Sequence, residues 1–288
     1  MVETRTRDQI MTLVYTGLAL IAFASNSVIC RLALTNESID PAGFSTIRLL
    51  SGALALILIN SIVKDEKPAS DSRNWLSAGT LFLYVITFSF AYVTLNACTG
   101  TLILFGTVQG TMIITGLIQG ERLKILELVG LTVALLGLIY LMLPGWEAPS
   151  LRGGILMTVA GVSWGIYSLQ GKNESNPITV TKGNFVRAIP FALLAFIAYF
   201  TNLNATFSGV LLAFISGALT SGVGYVVWYA ALRGLTVTQA ATVQLLVPII
   251  ATIGGVIFLS EIISLRLILS SVLILGGVGS IFVARSYQ

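Results

Sequence analysis

The sequence predicts an all-α integral membrane protein of ten transmembrane helices, built as two inverted-topology five-helix repeats. Three observations predict it. The chain is 56% hydrophobic and only 10% charged, with a mean hydropathy of +0.92. A soluble domain carries about 25% charged residues, so so few charges could not cover a water-exposed surface. Apolar runs long enough to cross a bilayer as helix recur ten times. And the second half of the chain repeats the first: "LIQGERLKILELVGLTVALLGL" at 117–138 returns as "FLSEIISLRLILSSVLILGG" at 258–277.

A spanning helix needs about 20 mostly apolar residues. The runs lie near 12–34, 42–63, 74–96, 98–119, 124–143, 152–171, 178–200, 207–231, 237–259 and 264–284. Alternating ten-residue strand patterns are absent, which excludes a barrel. The first run has signal-peptide traits, with Arg5 and Arg7 before it and Ala22-Phe23-Ala24 inside it. The repeat needs this segment, so it is read as a retained span. Connections are short, the longest running from Lys64 to Arg73. Ten basic residues fall on one side (the N-terminus, Lys64, Lys67, Arg73, Arg122, Lys124, Lys172, Arg233 and Arg285) and three on the other (Arg31, Arg152 and Arg266). The positive-inside rule then places both termini in the cytoplasm.

Glu121 and Glu261 stand 140 residues apart, as do Gly137 and Gly277. "FASNSVICRLAL" at 23–34 aligns with "WGIYSLQGKNES" at 164–175, putting Phe23 on Trp164 and Arg31 on Lys172. "STIRLL" at 45–50 aligns with "NFVRAI" at 184–189, putting Arg48 on Arg187. The repeats are therefore expected at 1–147 and 148–288, with five spans each. Five is odd, so the second copy enters the membrane from the opposite side. Fused inverted copies are a frequent architecture of secondary transporters, with the substrate near the midplane between them.

These residues resemble the drug/metabolite transporter superfamily, in its ten-span branch with two EamA-like repeats. The carrying features are "FASN" and "SWGIY" early in each half, the arginine of each second span, "Pro…Gly…Ser-Glu" in span nine (Pro248, Gly254, Gly255, Ser260, Glu261), and the Gly-rich last span of each repeat. Two departures stand out: Phe23-Ala24 replaces the family's Trp-Gly pair, and Val108 sits where the repeat would put the partner of Pro248. The resemblance implies export or import of a small metabolite from a cavity among spans one to four and six to nine, with spans five and ten bracing or dimerising. It implies an inner-membrane protein of a bacterium, monomeric or homodimeric. It does not name the substrate.

Polar groups inside a bilayer are costly, so each is a candidate. No histidine occurs, and every Asp and Glu lies in a loop or near a span end. No metal site, cofactor, intramembrane catalytic pair or nucleic-acid surface is visible, and the chain is not expected to be an enzyme. Arg48 and Arg187 either snorkel to headgroups or line the pathway and hold a carboxylate or phosphate. Tyr84 and Phe88 in span three, Trp164 and Tyr167 in span six, and Tyr225 in span eight form aromatic faces suited to packing, or to an apolar group or an ammonium. Asn26 and Gln244 lie deep enough to touch a midplane substrate. Pro248 and Gly254 read as bends or hinges in span nine, and Pro248 frees the carbonyl of Gln244. Glu121 and Glu261 read as helix-terminal carboxylates favouring the following helix, or as gating groups. Embedded charge that is basic and never acidic points to a substrate bearing a carboxylate, an amino acid or a related compound. Cationic amines, a lipid-linked substrate, or a sensor or scaffold that transports nothing are the other readings.

Overall fold

The computed structural model describes residues 2–62, 75–118, 125–143, 148–172, 174, 176–235 and 237–286. Among them, everything regular is helical. The helices are α1 (Val2–Thr35), α2 (Pro41–Ile62), α3 (Trp75–Tyr92), α4 (Ala97–Ile118), α5 (Ile125–Met142), α6 (Leu151–Gly171), α7 (Pro177–Ala198), α8 (Phe207–Ile215), a π-helical segment Ser216–Val223, α9 (Gly224–Leu232), α10 (Val237–Val243), α11 (Leu246–Leu259) and α12 (Leu265–Ser286). The run α8–π–α9 is continuous, and α10 is parted from α11 only by a turn at 244–245. Taken as one span each, they bring the described helices to ten. Seven spans are long and apolar enough to cross a membrane, while α5 and α12 carry shorter apolar stretches, Leu128–Met142 and Leu265–Gly277. The outward faces are strongly apolar: Leu54, Leu58, Leu136, Ile139, Ile257, Phe258 and Val272 are all exposed. In water so broad an apolar surface would aggregate; in lipid it is the required exterior. The protein is an all-α integral membrane protein.

The packing is organised around partner exchange. α2 packs on α7, α4 on α11, and α5 on α12. α3 packs on α6 as α1 packs on the α8–π–α9 span, and α4 on α6 as α11 on α1. Swapping spans one to five with six to ten maps each of these pairs onto itself or onto another of them. The repeat-related glycines carry one of these contacts. A Cβ on Gly137 would lie 2.8 Å from the Leu273 Cβ, and one on Gly277 2.5 Å from the Gly130 carbonyl oxygen.

The tightest approach is between α2 and the π segment. A methyl on Gly217 would meet the Arg48 carbonyl oxygen at 2.1 Å and the Ser51 Oγ at 2.0 Å. Backbone cannot yield as a side chain can, so Gly217→Ala is expected to destabilise by about 1–3 kcal/mol. Thermal unfolding in detergent checks it, and an unchanged midpoint would mean that the two elements separate freely.

On the face where α1 ends and α2 begins, Asp40 caps α2, its Oδ1 accepting from Gly43 N at 2.8 Å. Asn204 in the α7–α8 connection accepts from Asp40 N at 2.8 Å, and Thr206 N donates to Ser38 O at 2.7 Å. The α1–α2 and α7–α8 corners are thus stitched together.

Candidate functional site

Arg48 stands seven residues inside α2, about 10 Å along the helix, and is fully buried. It does not snorkel. Its Nε donates to Ser221 Oγ at 2.8 Å. Its Nη2 donates to Tyr225 Oη at 2.7 Å and to Tyr84 Oη at 3.2 Å. The guanidinium carbon lies 5.3 Å from the ring centre of Tyr84 and 5.1 Å from that of Phe88. Nη1 is buried and makes no hydrogen bond. Among the described residues no carboxylate pairs with it. Desolvating a cation costs several kcal/mol, and three neutral hydroxyls and two ring faces offset only part of that. The free Nη1 still carries two N–H donors, and a charge-assisted hydrogen bond from them to a carboxylate is the chemistry left open to this guanidinium.

Aromatic rings box this charge in. Trp164 lies 4.7 Å from Tyr225, 5.0 Å from Tyr84 and 5.1 Å from Phe23, centre to centre. Phe23 and Trp164, matched by the repeat, therefore meet edge to face. Trp164 Nε1 donates to Gln244 Oε1 at 3.0 Å, and Gln244 Nε2 donates to Ala240 O at 3.0 Å. Asn26 serves the box from the side, its Oδ1 accepting from Ser216 Oγ at 2.5 Å and Thr220 Oγ1 at 3.2 Å. Tyr167 continues the rings away from Arg48, 6.2 Å from Tyr225 and 5.4 Å from Tyr229. The faces of Trp164, Tyr84 and Tyr225 could hold an ammonium or an apolar side chain beside the guanidinium.

Arg48, Tyr84, Phe88, Trp164, Tyr225 and Gln244 are thus brought together, with Tyr167 and Asn26 adjoining. Arg187 is not. It is half-buried, with its guanidinium folded back over Gly183, one turn nearer the start of α7: a Cβ there would lie 3.0 Å from Nη1. The carbonyl of Gln244 is not left free by Pro248 either: it accepts from Val247 N at 3.0 Å in the turn that breaks the span. Pro248 follows that turn and accounts for it. Gly254 packs against Val28 of α1, whose Cγ2 would be 2.8 Å from an added methyl. Ser221 was not singled out from sequence as a site residue, yet it receives Arg48. The only hint was the run Thr220-Ser221-Gly222, small polar residues in an apolar span. Its hydroxyl is aimed by the π segment, a wide turn that recurs at functional sites.

Glu121 lies outside the described residues. Glu261 caps a helix, but not the one that follows it. The preceding Ser260 is left-handed, with φ 53°, and turns the chain back so that Glu261 reaches α4. Its Oε1 accepts from Ala97 N at 2.6 Å, and its Oε2 accepts from Cys98 N at 3.2 Å and Cys98 Sγ at 3.1 Å. The start of α12 is capped instead by Ser264 Oγ, which accepts from Leu267 N at 3.1 Å. Arg31 completes this corner. Its Nη1 donates to Tyr92 O at 2.7 Å, and its Nε lies 4.0 Å from Glu261 Oε1. A Cβ on Gly255 would lie 2.6 Å from Glu261 Oε2, so a larger residue there would push the carboxylate from its place. Ser260→Gly should relieve the left-handed strain and stabilise the protein by about 0.5–1 kcal/mol; a lower melting point would contradict the strain.

The model of the EamA-like transporter family matches residues 151–283. An uncharacterized protein of Pseudomonas aeruginosa is 45% identical over 95% of each chain. An uncharacterized transporter of Bacillus subtilis, YoaV, is 25% identical over 84% of this chain and 87% of its own. One from Clostridium kluyveri is 24% identical over 90% and 89%. The chain belongs to the EamA-like transporters of the drug/metabolite transporter superfamily. A solved crystal structure, 18% identical, superposes over 93% of this chain and 98% of its own with a TM-score of 0.63, a likeness of fold alone. The protein is a membrane transporter.

Proposed function

We propose that this transporter carries a small carboxylate-bearing metabolite, an amino acid or a relative of one, by alternating access. One observation carries the reading: Arg48 is fully buried with Nη1 unpartnered and, among the described residues, no acid beside it. The substrate carboxylate would supply the missing charge, and the surrounding rings would hold the rest. The exchangeable packing of spans one to five and six to ten supports two inverted repeats, near 1–147 and 148–288, rocking against each other. Both termini would face the cytoplasm of a bacterial inner membrane, and the α5–α12 pair would brace each monomer or join two. The chain has no histidine and the sequence puts its acids in loops or near span ends, so facilitated diffusion or exchange fits better than proton coupling.

The test is a thermal-shift panel on purified protein, spanning amino acids, organic acids, amines, sugars and nucleotides. A ligand at 100 times its dissociation constant should stabilise by about 2.7 kcal/mol. Shifts from carboxylate-bearing compounds support the reading, and shifts from amines alone would overturn it. A second reading, a lipid-linked substrate, draws on two apolar grooves beside α11. One, about 420 Å³, lies against α1 between Ala24 and Phe258; the other, about 290 Å³, lies against α4 and α12. It predicts silence across the whole soluble panel.

A further inference from the structure

The side of the ring box opposite Arg48 holds a second group of buried polar atoms. Thr181 and Asn184 lie three residues apart and so share one face of α7. Both are buried, as is Tyr167 of α6. The Tyr167 hydroxyl lies against both side chains, and yet Tyr167 Oη, Thr181 Oγ1 and Asn184 Nδ2 all lack a well-formed hydrogen bond. The neighbouring Tyr229 gives its proton to the Tyr167 backbone carbonyl at 3.2 Å and has only lone pairs left to offer the group. Unpaired buried polar groups each cost about 1–3 kcal/mol. Three in one place, from two helices, are an expense that packing alone would remove with Phe, Val and Leu.

We infer that Tyr167, Thr181 and Asn184 form a second subsite, which takes a neutral hydrogen-bonding group, a hydroxyl or carboxamide, at the end of the substrate remote from its carboxylate. This rests on the proposed anchoring at Arg48. Tyr225 links the two places: its hydroxyl receives Arg48, and its ring adjoins that of Tyr167. The three side chains offer donors and acceptors but no charge. A remote carboxylate or ammonium would lose its hydration there without a counter-ion, whereas a carboxamide or hydroxyl can both give and receive. A site built to hydrogen-bond a substrate rejects the analogue lacking that group, because its own polar atoms then stay unpaired.

The test uses purified full-length protein and four amino acids of equal chain length: L-norvaline, L-glutamine, L-glutamate and L-ornithine. Affinities come from thermal-shift titration. L-Glutamine is expected to bind at least ~10-fold more tightly than the other three. Thr181→Val and Asn184→Leu should erase that preference, bringing L-glutamine down to the affinity of L-norvaline in the same protein. Thr181→Ser keeps the hydroxyl and should keep the preference, even if Thr181→Val folds poorly. Equal binding of all four, or equal loss of all four in the variants, would overturn the subsite and leave the Arg48 reading standing. If none of the four binds, and Arg48→Met changes the response to no other compound, both readings fail together.

Discussion

Replacing Arg48 with methionine should abolish the response to carboxylates without weakening the fold. Hydrogen bonds to charged groups contribute about 1.5–3 kcal/mol each. Loss of the free Nη1 donors should therefore weaken carboxylate binding by about 10- to 100-fold for each bond the substrate makes. The effect on stability is argued from the other side of the same balance. A buried cation with no counter-ion is a cost in the empty protein, and apolar residues of similar volume often replace such charges neutrally or with a gain. The three hydroxyls left behind are not stranded, since Tyr225 lies within reach of both Tyr84 and Ser221. Arg48→Met should thus melt at the wild-type temperature or a few degrees above it. Arg48→Lys, which keeps the charge but not the planar fork, should bind with intermediate strength. Titrating melting point against a bound carboxylate checks all three proteins. If Arg48→Met unfolds several degrees early and still responds to carboxylates, the arginine is a piece of scaffold and the binding site lies elsewhere.

That argument was half visible in the sequence. Arg48 stood out because charge is rare in an apolar run. Tyr84, Trp164 and Tyr225 stood out because aromatic rings did not fall at span ends alone. Most spans were legible as well: the expected 42–63 is Pro41–Ile62, and the expected 178–200 is Pro177–Ala198. What could not be read was hydrogen-bond register. Apolar content is the same whether a turn holds four residues or five, so the π segment that aims Ser221 was invisible, as was the break at Gln244 before Pro248. Repeat symmetry misled at one position. It matches Arg187 to Arg48 by sequence, but a long side chain chooses its own direction, and Arg187 turns toward Gly183. Glu261 shows the same gap. Its place at a span end was legible, but the helix it caps, α4, is 164 residues earlier in the chain than itself, and only the fold brings them together.

Opening of this corner is the second large effect expected. Glu261 holds the first two amides of α4, and Arg31 holds the last carbonyl of α3 while facing Glu261. Helices α1, α3, α4 and α11 are therefore tied at one end of the molecule, and any rocking that opens this face has to release the tie. We propose that it is a gate. Cys98 is a built-in reporter, because its thiol is buried and donates to Glu261. In a Cys30→Ser background, an impermeant thiol reagent added from the Glu261 side should label Cys98 slowly. Glu261→Gln should raise that rate ~10-fold or more and cost about 1–3 kcal/mol of stability, through weakened capping and a broken pair. Glu261→Gln also changes the hydrogen bond that the thiol itself makes, so this variant alone leaves access and chemistry mixed. Arg31→Ala separates them. Arg31 is tied to Tyr92 and faces Glu261, so deleting it leaves the hydrogen bond from the Cys98 thiol to Glu261 in place. Faster labelling in Arg31→Ala can then come only from an opened corner. If Arg31→Ala labels no faster than its parent, and Glu261→Gln gains no more than loss of the carboxylate explains, the corner is a static cap and the gate lies elsewhere.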